Sequence, residues 1–136
     1  MSAIDLKQHY SNYITTLNER RFDDLGIFVS DELVYNDATM TAGQYRELLE
    51  DDVRRIPDLF FDVQQCIVDD GYVACRIRFD CSPRESFRGL EPTGSRVVFD
   101  EHVFYRFQED RIAQVWSLLD VAALERHLPR ETGSGP

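Results

Sequence analysis

Three ionisable side chains, Glu101, His102 and Asp120, stand where the strand pattern of residues 99–120, FDEHVFYRFQEDRIAQVWSLLD, favours apolar residues. Carboxyl and imidazole groups are the usual proton carriers in enzymes. A carboxyl group enclosed by apolar residues has a raised pKa, which lets it exchange protons near neutral pH. The three groups therefore either line a pocket and do acid–base chemistry, cap a helix, or face water.

The alternation of apolar residues predicts two antiparallel strands joined by QEDR, with Phe107 paired to Ile112. Opposed residues then share a face, and the more apolar face should pack on the helices. This inner face would carry Phe99, Glu101, Val103, Tyr105, Phe107, Ile112, Gln114, Trp116, Leu118 and Asp120. A mostly apolar cavity with a few convergent polar groups is typical of a small-molecule site. A shift of one residue would exchange Glu101 for His102 on that face, so both remain candidates.

Each candidate also has a structural interpretation. Asp120 precedes the last predicted helix, and aspartate is a favoured N-cap residue. Glu101 can pair with an arginine such as Arg76 or Arg78, or lie at a dimer interface, since buried acids are rarely left unpaired. His102 is compatible with a hydrogen-bonded structural histidine.

Patterns for other catalytic sites are missing from the sequence. The histidines, His9, His102 and His127, have no metal-binding spacing. The chain has neither a Gly-x-Ser-x-Gly elbow nor a glycine loop for phosphate. Cys75 and Cys81 fall on the apolar side of their strand, which indicates packing rather than nucleophilic attack. What remains is acid–base chemistry without a cofactor, or ligand binding alone.

The composition predicts one globular domain. The chain has 136 residues, of which 43% are hydrophobic and 12% aromatic. Its net charge of −10 disfavours nucleic acid and anionic lipid as partners. No apolar run approaches the ~18 residues of a membrane span, and no signal peptide is visible. An odd number of cysteines, three, indicates reduced thiols, so we expect a cytoplasmic protein.

Periodicity predicts helices in the first half of the chain and strands in the second. Apolar residues recur every three or four positions in residues 6–17. Thr41 and Gln44 form a capping box that opens a further helix, and Pro57 ends it. Beyond Pro57 apolar residues alternate with a period of two, as in YVACRIRFDC.

Helices followed by consecutive antiparallel strands predict an α+β fold: a cone-shaped, curved antiparallel sheet with the N-terminal helices on its concave face. Asp70-Gly71 predicts a hairpin turn, and the length of the loop SPRESFRGLEPTG predicts a lip that sets access. We expect a single domain in residues 1–128 and a disordered tail in residues 129–136.

The chain resembles the SnoaL-like polyketide cyclases, also called ester cyclases, of the nuclear transport factor 2-like superfamily. The resemblance spans residues 5–128 and rests on YITTLNERRFDDL, ELVYNDATMTAGQYRELL, IPDLFFDV, VACRIRFDCSP and FDEHVFYRFQEDRIAQVWSLLD. Its most specific part is the closing strand pair that runs into Trp-x-x-x-Asp, here Trp116 and Asp120. The hairpin tip, Glu109-Asp110, departs from the usual Asp-Gly.

The resemblance implies an aspartate that acts as general acid/base at the end of the last long strand, without metal or organic cofactor. The implied reaction is an intramolecular aldol closure, in which a carbon beside a carbonyl loses a proton and the enolate attacks a second carbonyl. Asp120 would take the proton, and His102 and Asn36 would hydrogen-bond the oxyanion. The predicted substrate-binding residues are Asn36, Tyr10, Tyr13, Tyr105, Trp116 and Gln114.

Three functions stay open. The first is a cyclase or isomerase acting on a small polyketide-like or other carbonyl-rich metabolite. Glu101 adds a carboxylate, which favours an epoxide hydrolase or dehydratase in the same cavity, and the superfamily also holds non-catalytic ligand-binding and dimerisation modules. An outward face with Phe104, Val115 and Leu119 is more apolar than a monomer needs, so we expect a homodimer through the sheet.

Overall fold

The computed structural model describes residues 5–129 as a six-stranded, curved, open sheet with helices packed against it. In chain order the elements are α1 (Leu6–Asn18), a 3-10 helix (Phe22–Ile27), β1 (Val29–Tyr35), β2 (Ala38–Thr41), α2 (Ala42–Arg55), β3 (Asp62–Asp69), β4 (Tyr72–Cys81), β5 (Val97–Gln108), β6 (Arg111–Leu119) and α3 (Val121–His127). The predicted α+β fold is confirmed. The predicted disordered tail lies outside the described residues, apart from Pro129.

The strands lie in the order β2-β1-β6-β5-β4-β3. All neighbouring pairs are antiparallel except β1 and β6, which are parallel. A parallel pair needs a long connection, and here the chain between β1 and β6 supplies α2 and the other strands. α2 therefore precedes β3 to β6 in the chain and packs beside the concave face of the sheet.

Local signals in the sequence set several element boundaries. The Thr41–Gln44 capping box is present, with both reciprocal hydrogen bonds, and opens α2. The hairpin at Asp70-Gly71 is confirmed, with φ values of 48° and 80°. Glu109 and Asp110 form a second two-residue turn with φ values of 51° and 68°. Positive φ at both central residues matches the twist of a hairpin, even though neither residue is glycine.

A bulge in β6 changes which of its side chains face the helices. Phe107 pairs with Ile112 as predicted, but the register then shifts, so that Arg106 faces Gln114 and Ala113 is the extra residue. An extra residue reverses the alternation of the strand beyond it. The inner side chains of β6 are therefore one position away from those predicted.

The predicted inner face is consequently correct for β5 and wrong for most of β6. Gln114, Trp116 and Leu118 lie on the outer face, and Trp116 stacks there on Tyr72 with ring centroids 6.4 Å apart. The inner side chains of β6 beyond the bulge are Val115, Ser117 and Leu119. The prediction that Val115 and Leu119 face outward is thus also wrong, whereas Phe104 is outside and 53% exposed.

Aromatic side chains join α1 to the inner face of the sheet. Tyr10 and Tyr13 are buried, with ring centroids 5.1 Å and 6.1 Å from that of Tyr105 on β5. The Tyr10 hydroxyl also donates to the Tyr105 hydroxyl at 3.4 Å. These contacts hold α1 at a fixed distance above the sheet and leave a cavity beside them.

Candidate functional site

An interior cavity of about 50 Å³ lies between α1, α2 and the concave face of the sheet. Its walls are mainly aromatic and include Tyr13, Tyr35, Tyr45, Phe79, Phe99 and Tyr105. The charged residues in its lining are Asp52, Arg88 and Glu101. This volume is small beside the roughly 300–1,000 Å³ of a typical small-molecule site. A larger ligand has to displace part of its wall.

Glu101 is the carboxylate that β5 places in this cavity. Burial raises the pKa of Glu101, the hydrogen bond donated by the Ser117 hydroxyl opposes this, and the negative charge of Asp52 adds to the increase. The predicted ion pair with Arg76 or Arg78 is wrong, because both arginines lie on the outer face. They bind Asp100 at 2.9 Å and 3.1 Å instead. Glu101 is thus a desolvated acid that accepts its hydrogen bond from a neutral hydroxyl.

Asn36 fixes the position of Ser117. The Asn36 amide donates to the Ser117 carbonyl at 3.1 Å and accepts from the Ser117 N–H at 2.8 Å. Asn36 lies in the turn after β1 with a φ of 46°, a conformation that asparagine tolerates. Its side chain is exposed and outside the cavity lining. Asn36 therefore holds the backbone that aims the Ser117 hydroxyl at Glu101.

Replacing Ser117 with alanine should raise the pKa of Glu101 further. The hydroxyl stabilises the ionised carboxylate by donating to it, and alanine removes that donor without adding bulk. Carbon-13 NMR titration of the glutamate carboxyl carbons would measure the change. Ser95→Ala, at an exposed loop serine, is the matched control and should leave Glu101 unchanged. Identical Glu101 titration curves in wild type and Ser117→Ala would contradict this assignment.

Asp52 of α2 is the second acid in the cavity lining. Burial raises the pKa of Asp52 to about 6, with Arg88 opposing the change. Its neighbour Asp51 forms ion pairs with Arg54 and Arg55 on the helix surface. Asp52 is consequently left without either arginine as a hydrogen-bonded partner.

Asp52 is not among the predicted site residues, although the sequence carries a signal for it. It follows Tyr45, Leu48 and Leu49 by seven, four and three residues, so it continues the apolar stripe of α2. Its position in the acidic run EDD hides that spacing, because such runs usually face water. A carboxylate on the apolar face of an amphipathic helix is the pattern that would have found it.

Two buried tyrosine hydroxyls form a close pair in the cavity wall. Tyr13 of α1 and Tyr45 of α2 lie 2.6 Å apart at their hydroxyl oxygens. Burial raises the pKa of both phenols well above its usual range, so both stay protonated. Tyr13 and Tyr105 thus lie in the cavity lining as predicted, whereas Tyr10 is buried behind it and is not a lining residue.

Asp120 lies outside the cavity, at the N-terminus of α3. Its carboxylate accepts a hydrogen bond from the Ala123 N–H at 3.1 Å, and the residue is exposed. The predicted inner-face position is wrong because of the bulge at Ala113: Leu119, not Asp120, faces the helices next to Glu101. Asp120 is thus the N-cap residue of α3, in agreement with its structural interpretation.

His102, Trp116 and Gln114 also lie away from the cavity. His102 is exposed on the outer face of β5, where its register partners are Arg76 and Leu118. Trp116 and Gln114 share that outer face because of the bulge. Of the two candidates for the inner position of β5, the structure therefore selects Glu101.

Within residues 5–129, no three histidine, cysteine, aspartate or glutamate side chains are grouped as they would be around a metal ion. Over the same range, no helix is both long enough and apolar enough to cross a membrane.

The fold and the cavity define a class of protein. A curved open sheet with helices packed against it is the nuclear transport factor 2-like architecture. A sequence model of the SnoaL-like polyketide cyclase family matches residues 7–128. The chain belongs to this family.

Solved structures agree with the family assignment. A SnoaL-like polyketide cyclase from Agrobacterium tumefaciens is 40% identical, with a TM-score of 0.88 over 91% of this chain and 98% of that one. A proposed polyketide cyclase from Acidithiobacillus ferrooxidans is 17% identical, with a TM-score of 0.80 over 94% and 97%. AclR, a proposed hydroxylase from Streptomyces galilaeus, is 20% identical, with a TM-score of 0.76 over 99% and 100%. The last two show the fold alone. No curated protein gives a significant match.

Proposed function

We propose that the protein is a cofactor-independent cyclase or isomerase that uses Glu101 as its general acid/base. The observation that supports this most is the desolvated Glu101 carboxylate in an aromatic cavity, held by Ser117 rather than by an arginine. Its raised pKa brings it closer to neutral pH, where a group can both accept and return a proton. Family membership supports the same chemistry.

In the proposed reaction Glu101 removes a proton from a carbon next to a carbonyl group of a small, carbonyl-rich metabolite. The resulting enolate carbon attacks a second carbonyl of the same molecule and forms the new C–C bond. One of the Tyr13 and Tyr45 hydroxyls donates to the other, so the protonated pair supplies one hydrogen bond to the oxyanion. Glu101 then returns its proton to the alkoxide, so atoms and charge balance and the product has the mass of the substrate. The enzyme would belong to the isomerase or lyase class.

A hydrolase or dehydratase is the second candidate, and Asp52 favours it. Asp52 and Glu101 line the same cavity, and burial raises the pKa of each. Two acids in one apolar site allow one to donate a proton while the other activates water or removes a proton. Epoxide opening and loss of water both need such a division. A ligand-binding module without chemistry is the third candidate.

The product mass distinguishes these functions. Wild type and Glu101→Gln would each be incubated with a metabolite extract of the source organism, and mass spectrometry would follow every compound that changes. Conversion by wild type alone, with unchanged mass, supports the cyclase or isomerase. Gain or loss of one water supports the second candidate. A compound that is bound but never converted contradicts both enzymatic functions.

We also propose a homodimer formed through the outer face of the sheet. Large apolar side chains are exposed there, namely Ile67, Tyr72, Val98, Phe104 and Leu118. Cross-strand neighbours Ile67, Ala74, Phe104 and Trp116 form one continuous row across four strands. An apolar patch of this kind on a small protein is typical of an interface between subunits.

Light scattering would test the dimer. Wild type should have the mass of two chains at micromolar concentration, and Phe104→Glu should have the mass of one, because a charge would be buried without a partner. Ile27→Glu is the matched control, since Ile27 is 58% exposed but lies on the 3-10 helix. A single-chain mass for wild type would rule the dimer out.

A cytoplasmic location is proposed from the cysteines. Cys66, Cys75 and Cys81 are free thiols, and two of them are buried. Cys66 and Cys75 are even register partners on β3 and β4 without forming a disulfide. Free thiols are typical of a reducing compartment.

A further inference from the structure

We propose that Arg88 binds a carboxylate group of the ligand at the mouth of the cavity, so that the protein acts on an acid rather than on a neutral ester or amide. The inference names the substrate class of the proposed site and rests on that proposed function. Three features of Arg88 support it: the backbone turn that carries the residue, a guanidinium group without a hydrogen bond or ion pair among residues 5–129, and a position between two cavities.

A two-residue turn presents Arg88 in the loop between β4 and β5. The backbone groups of Phe87 and Leu90 bond each other in both directions, at 2.9 Å and 3.0 Å. Arg88 and Gly89 between them have φ values of 54° and 75°. Positive φ is unfavourable for arginine, and the turn persists because Phe87 and Leu90 are buried on either side of it. The arginine is therefore held in place by its neighbours.

The guanidinium group of Arg88 has no hydrogen bond and no ion pair among residues 5–129. It lies over the ring of Phe87, whose centroid is 5.4 Å from the guanidinium carbon. Other arginines in that range do form ion pairs, namely Arg21, Arg46, Arg54, Arg55, Arg76, Arg78 and Arg96. Within the same range Arg88 makes none, nor do Arg20, Arg84, Arg106, Arg111 and Arg126, but of these six Arg88 is the one in the cavity wall, beside Asp52 and Glu101. Its five N–H donors are consequently available to a ligand.

Arg88 lies between the interior cavity and a wider vestibule. The vestibule has a volume of about 410 Å³ and shares Leu48, Asp52, Phe87 and Arg88 with the interior cavity. Its remaining walls come from Asp51, Arg55, Ser86 and Gly89. Arg55 is already engaged by Asp51 and by the Ser86 carbonyl. Arg88 is thus the cation at this mouth that is free to bind an incoming group.

A carboxylate matches this site better than a neutral group does. Two parallel N–H donors of a guanidinium bind both oxygens of a carboxylate, which fixes its orientation as well as its position. The chain as a whole has a net charge of −10 and repels anions, so a local cation has to select them. The same cation lowers the pKa values of Asp52 and Glu101. An anion bound to Arg88 would cancel that influence and make both acids hold their protons more firmly.

Equilibrium binding of a matched pair of probes tests the proposal without requiring turnover. Benzoate and benzamide have the same ring and differ in charge. Protein NMR at neutral pH would follow the titration of wild type with each probe. We expect benzoate to bind at least about tenfold more tightly than benzamide, and Arg88→Gln to remove that preference. Glutamine at position 88 meets the same backbone conformation as arginine and adds no strain to the turn, so the variant should fold as wild type does.

Three further titrations serve as controls. Arg84→Gln removes an exposed arginine of the same loop and should keep the preference for benzoate. Glu101→Gln should keep the preference or strengthen it, because a negative charge near Arg88 is removed, and this separates a failure of this inference from a failure of the proposed catalysis. Inorganic phosphate should compete weakly, because it lacks the ring that contacts the aromatic wall. Equal binding of both probes, no binding of either, or a benzoate preference that survives Arg88→Gln would each overturn the proposal.

Discussion

Glu101→Gln should lower turnover by about 10²–10⁴-fold, the range typical for loss of a general acid or base. The amide has the shape of the carboxyl group and its oxygen still accepts a hydrogen bond from Ser117, so the cavity should be unchanged. What is lost is the group that takes and returns the proton. Initial rates with the compound that wild type converts, together with thermal unfolding of both proteins, would measure the effect and check the fold.

Asp120→Asn is the matched control for this variant. It also replaces one carboxylate with an amide of the same shape, but at the exposed N-cap of α3 rather than in the cavity. Asparagine caps helices as well as aspartate does, so both stability and turnover should stay near those of wild type. If Asp120→Asn were folded and inactive while Glu101→Gln stayed active, the assignment of the general base to Glu101 would be wrong.

Asp52→Asn should stabilise the protein at about pH 8 and have little effect at about pH 4. Burial raises the pKa of Asp52 from 3.8 to about 6 in the folded state. The folded state therefore binds the proton more tightly, and this contribution to stability is present below about pH 4 and lost as the pH rises through 6. Asparagine carries no charge at any pH and avoids that loss.

The size of the effect follows from the two pKa values. The difference between 3.8 and about 6 corresponds to about 3 kcal/mol for a fully enclosed group. Partial exposure of Asp52 to solvent reduces this to about 2 kcal/mol. Urea unfolding of wild type and Asp52→Asn at the two pH values would measure the change in the free energy of unfolding. Comparing the two proteins at the same pH cancels the contribution of every other acid to the free energy of unfolding.

Asp51→Asn is the neighbouring control and should behave in the opposite way. Arg55 and Arg54 bind the Asp51 carboxylate and hold its pKa below the usual range. Its ionised form therefore stabilises the fold above that range, and the contribution is lost in acid. The variant should be less stable than wild type near neutral pH and equal to it in acid. A stabilising Asp51→Asn, or a destabilising Asp52→Asn at about pH 8, would contradict the burial argument.

The sequence by itself determined the architecture of this protein. The spacing of apolar residues in α1, the capping box at Thr41 and the period-two strands beyond Pro57 are local signals, and each acts through nearby residues only. Together they predict helices followed by a curved sheet, which the structure confirms. The motif FDEHVFYRF also reduced the inner position of β5 to Glu101 or His102, and the structure places Glu101 there.

The tertiary structure alone decided which other polar groups meet Glu101. One extra residue, Ala113, reverses β6 and takes Gln114 and Trp116 out of the site, and no local pattern marks that bulge. Asp52 and Arg88 are 49 and 13 residues from Glu101 along the chain. Only the packing of α2 and the turn at Arg88 against the same cavity brings them together. Contacts between distant segments depend on register and loop geometry, which the alternation of apolar residues does not encode.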